Sequence, residues 1–259
     1  MKVAILAGGL GTRLSEETVI KPKPMVEIAG RPILWHIMKL FACQGYREFV
    51  IALGYKGEVI KDYFLHYHQR FSNLTLSLSS GEAHIHPSKN GHEAEDWCIH
   101  LIDTGLNTQT GGRVKRVAEF IGNEPFILTY GDGLANINIE SLVAFHNHNK
   151  KLATVTAVHP PARFGENAFD GNQVVSFNEK PQTTAGWING GFFVLEPEAA
   201  GYIKGDETIF ERDPMEGLSR DGQLVGFRHE GFWQWMDTLR DVRLLEELWQ
   251  TGKAPWRIW

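Results

Sequence analysis

The sequence predicts an α/β fold with a Rossmann-like, mainly parallel mixed sheet flanked by helices, followed by an antiparallel extension. Short apolar runs at residues 2–6 and 49–53 each precede a glycine and then a stretch of helical periodicity. This repeat is typical of β-α-β units, in which parallel strands are buried on both faces. From residue 153 onward, apolar and polar residues alternate between short polar connections, which favours antiparallel strands.

The helices are predicted from apolar side chains three and four residues apart and from the residues at their ends. Residues 33–44 show this pattern between Pro32 and Gly45. The other predicted helices are 57–67, 113–121, 139–149 and 238–250. The remaining predicted strands are 97–102, 126–129, 153–158, 173–177 and 191–195.

Composition limits the possible functions. The chain has 259 residues, 42% of them hydrophobic, which is enough for one large domain, residues 1–259. A net charge of −5 gives no general attraction to nucleic acid. No apolar run approaches the roughly 20 residues that span a bilayer, so we expect no membrane association. The two cysteines, Cys43 and Cys98, are not spaced as a pair, which favours a reduced, cytoplasmic protein.

The first predicted strand runs directly into a glycine-rich loop. Because glycines have no Cβ atom, backbone N–H groups in such a loop can surround phosphate oxygen atoms. The loop follows the carboxyl end of a strand, where open α/β sheets bind ligands. Arg13 adds a cation for the charge on a departing phosphate group. The predicted nucleotide-binding residues of this segment are Leu6, Ala7, Gly8, Gly9, Gly11 and Thr12.

Two better-known phosphate loops do not fit this segment. The Walker pattern requires a lysine directly after its last glycine, but Thr12 follows Gly11. The dinucleotide fingerprint requires a third glycine where Leu14 stands, which disfavours a nicotinamide-dependent oxidoreductase.

Charged residues follow at two further positions. Lys21 and Lys23 lie in KPKPM, a stiff, extended segment that can direct them toward a polyphosphate. Asp132 follows strand 126–129 in a Gly-Asp-Gly turn, at the sheet edge where the phosphate loop lies. Carboxylate oxygens, water and phosphate are the ligands that Mg²⁺ prefers. Asp132 is thus a candidate carboxylate for such an ion, and an ordinary turn aspartate is the alternative.

A polar segment at residues 80–96 has no clear period and is expected to leave the core as a hairpin or flap. No cysteine or carboxylate stands at zinc-ligand spacing beside its three histidines. We interpret these residues as exposed loop residues: His84, His86 and His92.

Taken in order, these motifs resemble those of the sugar-phosphate nucleotidyltransferases, over essentially the whole chain. The matching segments are GGLGTRL (8–14), KPKPM (21–25), YGDG (130–133), EKP (179–181) and NGG (189–191). Further segments are similar to those of members that join CTP to glucose 1-phosphate: SEET (15–18), TGGR (110–113), PARFG (161–165), INGGFFVL (188–195) and residues 232–241.

The resemblance implies a Mg²⁺-dependent reaction. An oxygen of glucose 1-phosphate attacks the α-phosphorus of CTP in line, pyrophosphate leaves and CDP-glucose forms. Arg13, Lys23, Asp132 and Asp237 would be catalytic, with Lys23 at the α-phosphate and both aspartates on the metal. Asp237 could instead cap the helix that follows it, and both roles stay open.

The resemblance also assigns binding residues to two lobes, one mainly for nucleotide (1–150) and one mainly for sugar phosphate with the C-terminal helix (151–259). The remaining nucleotide-binding residues would be Thr108, Thr110, Gly111, Gly112, Arg113 and Gly131. The antiparallel extension would bind the sugar phosphate through Gly165, Glu179, Lys180, Asn189 and Gly190.

Arg113 is the candidate for selecting the base. Cytosine has an acceptor at N3, whereas uracil and thymine have a donor there. A donor aimed at N3 therefore favours CTP and opposes UTP. An arginine on a helix surface with no contact to the base is the alternative.

Other functions stay open. The chain could be a sister enzyme that uses UTP, dTTP, GTP or another sugar phosphate, or a silent regulatory homologue that only binds sugar nucleotides. The retention of Arg13, Lys23, Asp132 and Lys180 disfavours the regulatory homologue. The resemblance implies a homo-oligomer and a role in surface polysaccharide (O-antigen) synthesis. The tail tryptophans would form a subunit contact or cover the protein's own core: Trp249, Trp256 and Trp259.

Overall fold

The structure is a computed structural model that describes residues 1–11, 14, 18, 20–86, 95–160, 166–170, 173–178 and 186–259. Its strands are β1 (Val3–Leu6), β2 (Glu27–Ile28), β3 (Arg31–Pro32), β4 (Glu48–Leu53), β5 (Asn73–Leu76), β6 (Ala83–His86), β7 (Cys98–Asp103), β8 (Phe126–Tyr130), β9 (Gly133–Ala135), β10 (Ala153–Val158), β11 (Glu166–Asp170), β12 (Gln173–Asn178), β13 (Ile188–Leu195), β14 (Leu224–His229) and β15 (Trp233–Trp235). Its α-helices are α1 (Ile33–Ala42), α2 (Gly57–Leu65), α3 (Tyr67–Phe71), α4 (Thr110–Ile121), α5 (Ile139–Asn149), α6 (Asp213–Arg220) and α7 (Leu239–Gln250). Short 3₁₀ helices lie at Lys23–Met25 and Pro197–Tyr202.

Seven strands form the central sheet, in the order β14-β10-β13-β8-β1-β4-β7. β1 is parallel to β4 and β8, and β4 is parallel to β7. β13 is antiparallel to both of its neighbours, β8 and β10, whereas β10 and β14 are parallel. The predicted α/β class, with a mainly parallel mixed sheet, is confirmed.

The central sheet separates two apolar layers, because successive side chains of a strand point to opposite faces. In β1, Val3 and Ile5 belong to the layer that contains α1, whereas Ala4 and Leu6 belong to the layer that contains α4. Since β1, β4, β7 and β8 run in the same direction, their carboxyl ends meet at one edge. The loops that carry the predicted phosphate-binding motifs begin at this edge.

The predicted antiparallel extension is divided between two sheets. β10 and β13 belong to the central sheet, while β12 pairs with β11 in a separate hairpin. The sequence did not predict β14 and α6, because α6 contains Pro214 and Gly217 and β14 contains Gly226 and Arg228. Breaking and charged residues hide these elements from a search for apolar periods.

Two predicted helices begin at different residues in the structure. α4 begins at Thr110, three residues before the predicted start, so the TGG segment is its first turn. α7 begins at Leu239, and Thr238 is its N-cap. The predicted helix 57–67 corresponds to α2, which ends at Leu65, and α3 follows it from Tyr67 to Phe71.

The tryptophans of the tail cover the protein's own core. Trp256 is fully buried, and Trp249 and Trp259 pack against the same apolar layer. The buried ring of His36 lies between them, with its centroid 5.0 Å from that of Trp249. These contacts favour the core interpretation of the tail over a subunit contact.

The first part of the polar segment, residues 80–86, contains β6, which pairs with the preceding strand β5 in a hairpin, with Asn73 opposite His86. Residues 87–94, which include His92, lie outside the described residues. Within the described part of the chain, no helix has the length and apolar character needed to cross a membrane.

Candidate active site

A cavity of about 680 Å³ opens at the carboxyl edge of the central sheet. Ligand pockets of this size are typical for small molecules at the ends of parallel strands. Twelve of the site residues predicted from the sequence line this cavity: Leu6, Ala7, Gly8, Gly9, Gly11, Lys23, Thr108, Thr110, Arg113, Gly131, Asp132 and Asp237. The fold therefore brings the residues predicted to bind the nucleotide close to those predicted to bind the metal, although they are distant in sequence.

Close backbone packing accounts for some of the glycines in this site. A Cβ atom on Gly8 would lie 2.3 Å from a guanidinium nitrogen of Arg113. A Cβ atom on Gly131 would lie 3.0 Å from the carbonyl oxygen of Leu6. Gly9 differs, since a Cβ atom there would meet nothing within 4 Å. Its backbone lines open space in the cavity, where a phosphate could approach closely.

Lys23 lies between two carboxylates. It begins a 3₁₀ helix and not the predicted extended segment, because the Met25 N–H donates to the Pro22 carbonyl at 2.8 Å. This turn brings Lys23 Nζ within 2.5 Å of both Asp132 Oδ2 and Asp237 Oδ1. The side chains of Lys23, Asp132 and Asp237 are 11%, 15% and 23% exposed, so solvent screens the three charges only weakly. We call Lys23, Asp132 and Asp237 the carboxyl-edge cluster.

The helix cap next to Asp237 is provided by other residues. Thr238 Oγ1 accepts a hydrogen bond from the Asp241 N–H, and the Asp241 carboxylate accepts from the Thr238 N–H at 2.8 Å. This capping box satisfies the first turn of α7. The cap of α7 therefore does not depend on the Asp237 carboxylate, which lines the cavity and contacts Lys23, and this favours the metal over the cap.

The two aspartates fit a divalent cation. Asp132 Oδ1 is buried and has no hydrogen-bond partner among the described residues. A buried carboxylate oxygen without a partner destabilises the fold unless a ligand satisfies it. Burial raises the pKa of Asp132 above its ordinary value, and the ammonium of Lys23 opposes this shift. A Mg²⁺ ion would satisfy the oxygen and favour the ionised carboxylate.

Arg113 is buried and its guanidinium contacts the protein's own oxygen atoms. One terminal nitrogen donates to Thr104 Oγ1 at 2.6 Å and to the carbonyl oxygens of Leu53 and Gly105. The other donates to the Gly8 carbonyl at 3.0 Å and also to that of Leu106. The burial removes the helix-surface alternative, and the bonds give Arg113 a role that the sequence did not indicate. Arg113 links the glycine-rich loop, through Gly8, to the loops that follow β4 and β7.

The TGG turn packs closely against a neighbouring loop. Gly111 N–H donates to the Thr208 carbonyl at 2.9 Å, and a Cβ atom on Gly111 would lie 2.6 Å from that oxygen. A Cβ atom on Gly112 would lie 2.7 Å from Asp206 Cα. These glycines allow the start of α4 to contact the loop, while Thr110 lines the cavity. Their predicted contact with nucleotide stays a prediction.

The sugar-phosphate residues are described only in part. Asn189 and Gly190 lie on β13, where Asn189 Oδ1 accepts a hydrogen bond from Gly191 N–H and the Gly190 carbonyl accepts from Trp233 Nε1 at 2.8 Å. Neither residue lines the cavity described above. Five predicted site residues lie outside the described residues: Thr12, Arg13, Gly165, Glu179 and Lys180.

Two aromatic residues of the cavity were not predicted. Tyr130 and Trp235 line it, with ring centroids 5.1 Å apart. The Tyr130 hydroxyl donates to Glu211, and Glu211 also accepts from Thr110 Oγ1 at 2.7 Å. Burial, followed by the nearby Glu211 carboxylate, raises the pKa of Tyr130 well above its ordinary value. The available signal was proximity in sequence, since Tyr130 and Trp235 each stand two residues before a predicted metal ligand.

The remaining unpredicted lining residues belong to the loops beside the cavity: Leu10, Pro24, Leu106, Asn107, Gln109 and Glu207. Leu10 and Pro24 belong to the GGLGTRL and KPKPM motifs but were not assigned to the site, and no motif contains the other four.

A glycine loop, a lysine and two carboxylates at the carboxyl edge of a parallel sheet define a nucleotide-binding enzyme of the phosphoryl-transfer class. The sequence model of the nucleotidyl transferase family matches residues 2–238. The chain therefore belongs to the nucleotidyl transferase family and is a nucleotidyltransferase.

Individual relatives agree with this assignment. The chain is 50% identical to glucose-1-phosphate cytidylyltransferase of Salmonella typhi over 260 aligned residues, which cover 100% of both chains. It is 43% identical, also over 100% of both chains, to a protein of Bacillus subtilis named probable glucose-1-phosphate cytidylyltransferase. The crystal structure of HddC from Yersinia pseudotuberculosis has the same fold, with a TM-score of 0.69, 24% identity and coverage of 96% of this chain and 99% of HddC.

Proposed function

We propose that this enzyme makes CDP-glucose and pyrophosphate from CTP and glucose 1-phosphate with Mg²⁺. The observation that carries the proposal is the carboxyl-edge cluster, in which one ammonium and two carboxylates meet at 2.5 Å inside the cavity. The choice of CTP and glucose 1-phosphate is supported by the names of the two full-length relatives.

The reaction needs charge neutralisation and alignment more than a nucleophilic side chain. A phosphate oxygen of glucose 1-phosphate forms a bond to the α-phosphorus of CTP, while the bond from that phosphorus to the bridging oxygen of pyrophosphate breaks. Lys23, which lines the cavity, would neutralise the α-phosphate, and Arg13 would stabilise the leaving pyrophosphate. When bound by Asp132 and Asp237, Mg²⁺ would supply further charge neutralisation on the phosphates.

The nucleotide side of the cavity would be built from backbone and hydroxyl groups. The open backbone at Gly9 would approach the phosphates, and Thr108 and Thr110 would face the ribose or base. On the sugar side, Glu179 and Asn189 would bind glucose hydroxyls and Lys180 the sugar phosphate, with backbone contacts from Gly165 and Gly190.

Selection of cytosine has two candidate explanations. The guanidinium of Arg113 would donate to cytosine N3, or Arg113 would act indirectly by fixing the backbone around the base. The contacts of both terminal nitrogens with protein oxygen atoms favour the indirect role. A mutation of Arg113 can separate the two explanations, as described in the Discussion.

The surroundings of the reaction also belong to the proposal. The two cysteines are unpaired, which supports a reduced, cytoplasmic location. A homo-oligomer that supplies CDP-glucose for surface polysaccharide, such as O-antigen, is the wider role we propose.

Pyrophosphate release from a panel of substrate pairs tests the proposal. CTP, UTP, dTTP and GTP are each combined with glucose 1-phosphate and with mannose 1-phosphate, at equal Mg²⁺ concentration. CTP with glucose 1-phosphate should give the highest kcat/KM. A higher value for UTP or dTTP would contradict CTP as the substrate and identify a sister enzyme. Binding of sugar nucleotides without any pyrophosphate release would contradict the reaction itself.

A further inference from the structure

Three metal-ligating side chains meet at the amino ends of β4 and β7, at the edge of the sheet opposite the cavity. Glu48 on β4 pairs in register with Cys98 on β7, and His100 lies two residues further along β7. Because side chains alternate along a strand, Cys98 and His100 lie on the same face as Glu48. We call Glu48, Cys98 and His100 the amino-edge cluster.

The distances within the amino-edge cluster suit one metal ion. His100 Nε2 lies 3.7 Å from Cys98 Sγ and 3.2 Å from Glu48 Oε1, and all three ligand atoms lie within 4.8 Å of one another. Zinc bonds of about 2.3 Å to sulfur and about 2.0 Å to nitrogen or oxygen, at tetrahedral angles, separate the ligand atoms by roughly 3.3 to 3.6 Å. The separations of His100 from Cys98 and from Glu48 are therefore already close to those that a tetrahedral ion requires, and the third pair lies within 4.8 Å.

We propose that the amino-edge cluster binds a borderline-soft divalent metal ion of the Zn²⁺ class. A thiolate and an imidazole select Zn²⁺ over Mg²⁺, which prefers oxygen ligands alone. Three protein ligands leave a fourth tetrahedral position for water, as in open zinc sites. This site is separate from the carboxyl-edge cluster, since six residues of β7 correspond to roughly 16–20 Å along the strand.

The neighbouring side chains are compatible with a bound cation. Lys2 Nζ lies 3.7 Å from Glu48 Oε1, but it also lies 3.3 Å from Glu124 Oε2. Lys2 can therefore keep an ion pair with Glu124 when Glu48 turns to the metal. The ring of Phe120 packs beside His100, with centroids 5.0 Å apart, and restricts the imidazole on that side.

Binding at this site would tie the edge strand to the sheet. β7 is the last strand of the central sheet and is bonded on one side, to β4. A metal held by Glu48 of β4 and by two residues of β7 links these strands in the folded state only. Metal binding should therefore raise the melting temperature, since it stabilises the folded chain over the unfolded chain.

Cobalt(II) is the probe for the first experiment, because cobalt bound to a thiolate absorbs in the near ultraviolet. The full chain, reduced and freed of metal by a chelator, is titrated with Co²⁺ in the presence of excess Mg²⁺. The wild type and the Cys43→Ser variant should both show the thiolate band at one Co²⁺ per chain, and Zn²⁺ should abolish it. Cys43 is the matched control, since it is the other exposed cysteine and lies outside the cluster.

The cluster variants give the decisive comparison. Cys98→Ser should lose the thiolate band, and His100→Ala should bind Co²⁺ at least about tenfold more weakly. Zn²⁺ should raise the melting temperature of the wild type and of Cys43→Ser but not of Cys98→Ser. Cys98→Ser should keep its Mg²⁺-dependent pyrophosphate release, which shows that it has folded. The proposal is overturned if the wild type shows no thiolate band, or if Cys98→Ser binds Co²⁺ as tightly as the wild type.

Discussion

The two edges of the central sheet hold ligand groups of opposite character. The carboxyl-edge cluster contains two largely buried carboxylates with a lysine between them, inside a cavity. The amino-edge cluster contains a thiol, an imidazole and a carboxylate that are half-buried or exposed. Parallel strands deliver side chains to both edges, but open α/β sheets bind ligands at the carboxyl edge. The two clusters also differ in ligand chemistry, because buried oxygen atoms suit Mg²⁺ whereas a thiol and an imidazole suit softer metal ions.

The largest expected effect comes from the carboxylates of the carboxyl-edge cluster. Asp132→Asn and Asp237→Asn should each lower kcat for pyrophosphate release by a hundredfold or more, about the cost of removing one preorganised electrostatic contact. The melting temperature should change little, since an amide has nearly the same shape.

Asp241→Asn is the matched control for Asp237→Asn, because Asp241 belongs to the capping box of α7 and not to the cavity. It should lower the melting temperature and leave kcat near the wild-type value. The reverse pattern, with Asp237→Asn lowering only the melting temperature, would assign Asp237 to the helix end.

Lys23→Met tests whether the ammonium competes with metal for the two carboxylates. Without nucleotide, removal of a positive charge 2.5 Å from both aspartates should tighten Mn²⁺ binding by about tenfold. With both substrates present, kcat should fall, because the α-phosphate loses its cation. Electron paramagnetic resonance of free Mn²⁺ measures the affinity.

Lys21→Met is the matched control for that experiment, since Lys21 belongs to the same KPKPM segment but does not line the cavity. It should leave both Mn²⁺ affinity and kcat close to wild type. Unchanged or weaker Mn²⁺ binding in Lys23→Met would contradict the competition.

His36 does not line the cavity and does not belong to the amino-edge cluster, so its titration should alter stability and not ligand binding. Burial among the tail tryptophans lowers the pKa of His36 from 6.5 to about 4. The unfolded chain therefore binds a proton more readily between these values, and stability is lost as the pH falls below 6.5 toward 4. Because His36 takes up a proton on unfolding, the free energy of unfolding should be about 2 kcal/mol lower at pH 4.5 than at pH 7.

Urea unfolding of the wild type and of His36→Gln at both pH values measures this contribution as the difference between the two pH dependences. Equal pH dependence in both proteins would show that His36 does not titrate on unfolding.

The most conservative of these substitutions is Arg113→Lys, which keeps the charge but loses the forked bonds to the loops. If Arg113 acts by holding the loop backbone, kcat/KM should fall by roughly tenfold for both CTP and UTP. Pyrophosphate release with each nucleotide provides the comparison. A fall confined to CTP would instead support direct contact with cytosine N3.

The sequence by itself determined the central strands, the glycine-rich loop and the position of Asp132 at the end of β8. These features depend on local information: a continuous apolar run for a strand buried on both faces, and glycines or Asp in the turn that follows. The family assignment also came from the order of short motifs along the chain, and the match over residues 2–238 confirms it.

Only the tertiary structure decided which distant side chains meet. The pairing of Lys23 with Asp237, the enclosure of Arg113 by carbonyl groups and the assembly of the amino-edge cluster all involve long separations in sequence. Neither periodicity nor a turn motif carries such information, because each side chain fits several local environments equally well. The register of the strands and the packing of the loops select one environment for each side chain. Both are established only when the whole chain has folded.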